Sequence, residues 1–223
     1  MNFDGLVFDA YGTLFDLTSL EDKCEETFPG NGAPISRLWR QKQLEYSWLR
    51  ALMGRYVDFS VVTRDALRYT LNHLKLSHTE VTIDRLSTSY FTLNPFSDVA
   101  DALRRMRKGS KLAVLSNGTK HMLKTALSNS KLTPLFAAII SADQASTYKP
   151  DRRVYALALT DLGISDKKRI LLVSSNVFDI AGAKSFGFCT AWVNRNRDTS
   201  FDMPDLPPDI IVSNLSELAE HIA

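Results

Sequence analysis

From residue 97 onward, short apolar runs with strand character alternate with segments whose apolar residues recur at helical spacing, and this alternation constrains the fold more than any other feature of the chain. The strand-like runs are 111–115, 169–173 and 189–193, with weaker ones at 137–140 and 209–212. Between them, Ser97 is placed to cap a helix bearing Val99, Ala102, Leu103 and Met106. A second helix carries Met122, Leu123, Ala126 and Leu127, and a third carries Val154, Tyr155, Ala158, Leu159 and Leu162. Runs this apolar are buried on both faces, so the pattern predicts an α/β fold: a parallel sheet core with helices on both faces. Such sheets bind ligands outside the carboxyl ends of their strands. A further strand at 3–8 runs into Asp9-Ala10-Tyr11-Gly12-Thr13, where glycine and a small polar residue predict a turn, so Asp9 is delivered to that edge.

The alternation fails between about Leu17 and Asn94, where the periodicity is helical and no strand stands out. A chain of 223 residues, 44% of them hydrophobic, is long enough for one large domain or for a domain carrying an insert. The break favours the second: a sheet core from 1–16 plus 95–223, and an inserted helical module from 17–94. Within the insert, Leu44, Trp48 and Leu52 fall one turn apart, with Leu49, Met53 and Tyr56 on the adjoining lane. Arg40 extends the first lane by a turn, which predicts that its guanidinium faces whatever the stripe packs on.

Several functional classes are disfavoured. The net charge is +2 with both signs interspersed, so no nucleic-acid or membrane partner is expected. Cys24 and Cys189 stand far apart and are expected to be buried structural thiols, and the four histidines show no metal-binding spacing. There is no Gly-x-Ser-x-Gly elbow and no phosphate-cradling glycine loop. The start of the chain does not read as a secretory signal, and no apolar run approaches about 18 residues, so a cytoplasmic protein is expected.

What remains is a set of polar groups at strand ends. Ser116-Asn117-Gly118 follows one strand, and Ser174-Ser175-Asn176 leads to Asp179 after another. Lys149 precedes a helix that Asp151 can cap, and it is the well-placed cation that would keep a buried Asp9 ionised.

Asp9-Ala10-Tyr11-Gly12-Thr13-Leu14, Ser116-Asn117-Gly118, Lys149-Pro150 and Ser174-Ser175-Asn176-Val177-Phe178-Asp179 resemble, in order and spacing, the motifs of the haloacid dehalogenase superfamily. Together with Leu38-Trp39-Arg40-Gln41 and Leu44-Glu45-Tyr46-Ser47-Trp48, they look like the L-2-haloacid dehalogenases, over nearly the whole chain. The resemblance implies a Rossmann-like catalytic core (1–16 plus 95–223) with a helical cap (17–94) inserted after the first motif, no metal or cofactor, a small-molecule 2-halo carboxylate as substrate, and a homodimer. It implies hydrolytic dehalogenation of short-chain L-2-haloacids to D-2-hydroxy acids, through a covalent aspartyl ester on Asp9 with inversion at C2. Arg40 would receive the halide, with Asn117 and the ring edges of Phe59 and Phe178, the last standing where relatives commonly have tryptophan. Ser116 and the backbone amides of Ala10, Tyr11 and Asn117 would hold the substrate carboxylate, and Lys149 would balance Asp9. Thr13, Tyr155, Ser174, Asn176 and Asp179 complete the polar shell, and which of them directs the hydrolytic water is left open.

Two competing readings are a magnesium-dependent phosphatase of the same superfamily and a non-catalytic small-molecule binding protein. Tyr11 stands where the phosphatase would need its second aspartate, and Ser174 and Ser175 thin the carboxylates of the last motif, leaving few oxygen ligands for magnesium. The same losses suit halide departure, because a halide is a weak base and needs no proton as it leaves. Asp9, Lys149 and Arg40 occurring together speak against a scaffold without chemistry.

Overall fold

The structure, a computed structural model, describes residues 2–196 and 200–222. Its sheet is built from β1 (Gly5–Phe8), β2 (Lys111–Ser116), β3 (Ala138–Ser141), β4 (Ile170–Ser174), β5 (Cys189–Val193) and β6 (Ile210–Val212), in the order β3-β2-β1-β4-β5-β6. Every neighbouring pair is parallel. Helices α1 (Thr18–Thr27), α2 (Gly32–Leu52), α3 (Phe59–His73) and α4 (Glu80–Ser87) occupy the interval between β1 and β2, followed by α5 (Val99–Met106). The remainder are α6 (Lys120–Asn129), α7 (Arg152–Leu162), α8 (Val177–Phe186) and α9 (Leu215–His221).

The two faces of the sheet follow the two-residue period of a strand. Leu6, Phe8, Val114, Val173 and Val193 point to the face covered by α5, α6 and α9, and Val7, Ala113, Leu115, Leu172 and Trp192 to the face covered by α7 and α8. The interval 17–94 leaves and rejoins this core at one place. There Asp16 N donates to Asn94 O at 2.9 Å and Phe96 N donates to Leu14 O at 3.0 Å, so the outgoing and returning chains lie side by side.

Four details depart from the sequence reading. Helix α5 begins at Val99 with Asp98, not Ser97, at the capping position, and the Asp98 carboxylate serves Arg195 and the Leu215 amide instead. β5 and β6 are neighbours with no helix among the described residues between them. Cys24 is buried, with its thiol pushed up to about 12 by burial, whereas Cys189 is only partly covered. The apolar stripe of α2 holds at Trp48 and fails at its end, where Leu52 is 85% and Met53 61% exposed. The buried lane of α2 is instead Ile35, Trp39, Gln43 and Ser47, against which α3 packs. Polar residues are tolerated there because their bonds are satisfied locally: Gln43 Nε2 donates to Thr63 Oγ1 at 2.7 Å and Ser47 Oγ to Leu44 O at 2.7 Å.

Candidate active site

The strand order reverses about β1: the chain runs from β1 outward through β2 to β3, then crosses to β4 on the other side. The crevice beyond the carboxyl ends of β1 and β4 is therefore the switch point at which ligands of such sheets bind. Asp9 leaves β1 into this crevice, its amide donating to Val173 O of β4 at 3.0 Å. The loop then turns tightly through Gly12, whose φ of +84° suits a residue without a Cβ. The Ala10 carbonyl gathers the amides of Thr13, Leu14 and Phe15 at 3.3, 2.9 and 3.0 Å.

Both oxygens of the Asp9 carboxylate are held. Lys149 Nζ lies 3.1 Å from Oδ1, while Asn176 Nδ2 at 2.8 Å and Thr13 Oγ1 at 3.2 Å donate to Oδ2. Thr13 in turn accepts from the Ser175 amide at 2.9 Å, and Asn176 Nδ2 also reaches Tyr11 O at 3.2 Å, so the loops after β1 and β4 brace each other. Lys149, 1% exposed, bridges to a second carboxylate, Asp179 Oδ2, at 2.7 Å. Tyr155 Oη, on α7, donates to Asp179 Oδ1 at 3.0 Å. Asp151 caps α7 through the Arg153 amide at 2.9 Å, and Asn117 Oδ1 takes the Lys149 amide at 2.8 Å, which aims the lysine back over the sheet edge.

The electrostatics follow from burial. Loss of solvent alone would pull the Lys149 ammonium down, but Asp179 and Asp9 outweigh it and hold the group above its ordinary 10.5. Burial pushes the Asp179 carboxyl up, with Lys149 opposing and Asp9 adding to the rise. Burial first, then Asp179, keeps the Tyr155 phenol protonated far above 10.0, so it acts as a donor. Arg40 supplies a second cation, reaching Asn176 Oδ1 from Nη2 at 3.4 Å.

The structure thus joins Asp9, Thr13, Lys149, Tyr155, Asn176, Asp179 and Arg40 in one network. Ser116 and Ser174 have bonds of another kind: their hydroxyls accept from the Gly118 amide at 3.2 Å and the Asn176 amide at 3.1 Å, shaping the loops after β2 and β4. Phe59 packs at 6.2 Å from Tyr148 and Phe178 at 5.3 Å, edge-on, from Trp48. Tyr11 is buried edge-on against Tyr90 at 5.2 Å, and a Cβ on Gly118 would come within 2.9 Å of its hydroxyl.

Sequence reading missed several supporting residues. Arg195 donates to Thr13 O at 2.8 Å while paired with Asp98 at 3.1 Å, holding the nucleophile loop from behind. Gln43 is bonded to Arg40, and a glutamine in register with Ile35 and Trp39 was its available signal. Gly182 on α8 lies where a Cβ would meet Tyr155 Oη and Pro150 Cβ, each at 2.5 Å. Gly182→Ala is therefore expected to lower the melting temperature: overpacking costs about 1–3 kcal/mol, more than the roughly 1 kcal/mol alanine gains in helix propensity. A melting temperature above that of the native protein would show that the two neighbours give way.

A mostly apolar cavity of about 380 Å³ opens beside the Lys149 loop, lined by Trp48, Ala51, Leu52, Tyr148, Lys149, Pro150 and Asp151. A larger one, about 630 Å³, lies at the amino ends of β1 and β2, where Asp4 and Lys111 are already engaged by Arg169 and Leu162 O. Neither Asp9 nor Arg40 lines either cavity, so the site is defined by the side-chain network itself. Magnesium fits the carboxylate pair poorly. It demands octahedral oxygen ligation, whereas here an ammonium bridges Asp9 and Asp179 and Tyr11 adds a buried phenol that stays protonated.

A parallel α/β sheet that presents a lysine-bridged aspartate at its switch point is the frame of a hydrolase working through carboxylate chemistry. The profile of the haloacid dehalogenase-like hydrolases matches residues 3–187, and the chain belongs to that family. Within it, the chain is 48% identical to the (S)-2-haloacid dehalogenase of Pseudomonas putida, over 98% of this chain and 96% of that protein. The solved L-2-haloacid dehalogenase of Xanthobacter autotrophicus superposes with a TM-score of 0.91 at 41% identity, covering 99% of this chain and 98% of that one. A structure of the same enzyme with chloropropionic acid covalently bound matches with a TM-score of 0.91 at 40% identity, covering the same 99% and 98%. No helix among the described residues is long and apolar enough to cross a membrane.

Proposed function

We propose that this protein is an (S)-2-haloacid dehalogenase. The Asp9 carboxylate attacks C2 of a short L-2-halo acid in line with the carbon–halogen bond; the C2–O bond forms as the bonding pair leaves with the halide. Water then adds at the aspartyl carbonyl carbon and cleaves the ester, freeing the D-2-hydroxy acid and a proton and regenerating the Asp9 carboxylate. The observation that carries this reading is the state of Asp9: a buried carboxylate, 3.1 Å from a buried ammonium and oriented by Asn176 and Thr13. A nucleophile needs to be ionised and aimed, and a halide leaving group needs no general acid.

In this reading Arg40, Asn117, Phe59 and Phe178 cradle the halide, and Ser116 with the amides of Ala10, Tyr11 and Asn117 receives the substrate carboxylate. Lys149 balances Asp9, while Thr13, Tyr155, Ser174, Asn176 and Asp179 form the shell that aims it and admits water. Residues 17–94 act as the cap, carrying Arg40 and Phe59 over a core made of 1–16 and 95–223. The protein is taken as a homodimer on its resemblance to the same enzymes.

Single turnover in heavy-oxygen water tests the ester. With enzyme in excess over L-2-chloropropionate, label is expected in the peptide containing Asp9, with the first product unlabelled. Label in the first hydroxy acid with none in that peptide would replace the ester with direct attack by water.

A further inference from the structure

Arg40 sits on a long side chain, and a cation meant to meet a departing halide has to be in place before the bond breaks. Its surroundings show what holds it. Gln43, one turn along α2, is fully buried in the lane of Ile35 and Trp39. A buried primary amide in an apolar lane is costly unless all its groups are bonded. Both ends of this amide are bonded: Gln43 Oε1 accepts from Arg40 Nη1 at 3.0 Å and from Tyr90 Oη at 3.3 Å, and Nε2 donates to Thr63 Oγ1 at 2.7 Å.

The orientation of the amide follows from its partners. A guanidinium only donates, and the Thr63 hydroxyl gives its proton to Phe59 O at 2.7 Å, so Thr63 presents lone pairs to Gln43. One end of residue 43 must accept and the other must donate, without charge. A carboxylate would face the lone pairs of Thr63 and offset the charge of Arg40; an aliphatic side chain would leave Arg40 and Tyr90 without their acceptor. With Nη1 tied to Gln43 and Nη2 to Asn176 at 3.4 Å, the guanidinium plane is fixed from two sides. Through Thr63 the same amide is linked to the backbone carbonyl of Phe59.

We propose that Gln43 is a positioning residue for leaving-group capture: it orients the Arg40 guanidinium toward the departing halide while leaving its charge undiminished. The inference rests on the reading that Arg40 receives the halide. Its signature is leaving-group dependence, because chloride departs less readily than bromide and leans more on capture.

The test is single-turnover halide release by the full chain from L-2-chloropropionate and L-2-bromopropionate. It compares the native protein with Gln43→Met, Gln43→Glu, Arg40→Ala and the Arg40→Ala/Gln43→Met double variant. Gln43→Met is expected to slow chloride release by on the order of 10²-fold, the scale of a misplaced catalytic group. Bromide release should slow less, so the chloride-to-bromide rate ratio falls. In the Arg40→Ala background the same change should cost little more, since the group it positions is gone. Gln43→Glu, which keeps the shape, should also lower the ratio, and it carries the test if the methionine variant does not fold.

A ratio unchanged in the glutamate variant, or in a folded methionine variant, overturns the proposal, as does full additivity in the double variant. If Arg40→Ala itself leaves the ratio unchanged, the halide assignment of Arg40 fails and takes the Gln43 proposal with it. A ratio lowered by Arg40→Ala but not by Gln43→Met sinks the Gln43 proposal alone.

Discussion

Purified Asp9→Asn protein is expected to release no halide above background, a loss on the order of 10⁴-fold or more, as when an essential nucleophile is removed. The amide has the shape of the carboxylate and none of its nucleophilicity. It also fits its surroundings imperfectly. Lys149 Nζ approaches one oxygen of Asp9, and Asn176 Nδ2 and Thr13 Oγ1 approach the other, all as donors. An asparagine NH₂ must face one side of that set, so a cost of about 1–2 kcal/mol is expected, small enough to leave the protein folded at room temperature. Thermal unfolding and halide titration on the same sample separate the two effects. Appreciable turnover by the folded variant would remove Asp9 from the reaction.

Lys149→Met is expected to have the largest effect on stability. Lys149 is the ammonium between Asp9 and Asp179, and methionine fills similar space without charge. Removing one partner of a buried ion pair typically costs about 3–5 kcal/mol, which for a chain of this size lowers the melting temperature by roughly 10 °C. Activity should be lost as well, because the ammonium 3.1 Å from the Asp9 carboxylate is gone.

The pH dependence has a definite sign. In the native protein Lys149 is held above 10.5, so its contribution is complete below that value and is lost as pH rises through the higher folded one. In the variant the Asp179 carboxyl, which burial already raises in the native protein, loses the ammonium that opposes the rise, so the folded state binds a proton more readily and stability increases as pH falls. Melting curves between pH 5 and 8 should therefore show the variant closest to the native protein at the acidic end. A constant deficit across that range would mean that the lost stability is packing rather than charge.

The parts legible in the sequence were those carried by local pattern. Apolar runs at 111–115 and 169–173 became β2 and β4, and Asp9, Asn117 and Asn176 follow their strands into one crevice as the alternation required. Asp151 capped α7 as its position suggested. Arg40 and Trp48 do face the core, through Asn176 and Phe178, while Leu52 on the same lane is exposed. The period of a helix says which residues share a face; how far along the helix a neighbour covers that face depends on where the neighbour ends.

The order of strand and helix, the strand-end position of Asp9 and the motif spacing were determined by the sequence alone, because each is a relation among residues near one another in the chain. Contacts across long separations were decided only by the folded chain. Arg195 had to cross 182 positions to find the Thr13 carbonyl, and Gln43 had to be buried against Thr63 and Tyr90. The reason is physical: a polar side chain is buried only where its hydrogen bonds are met, and partners brought together by tertiary packing leave no mark in the local pattern of either segment.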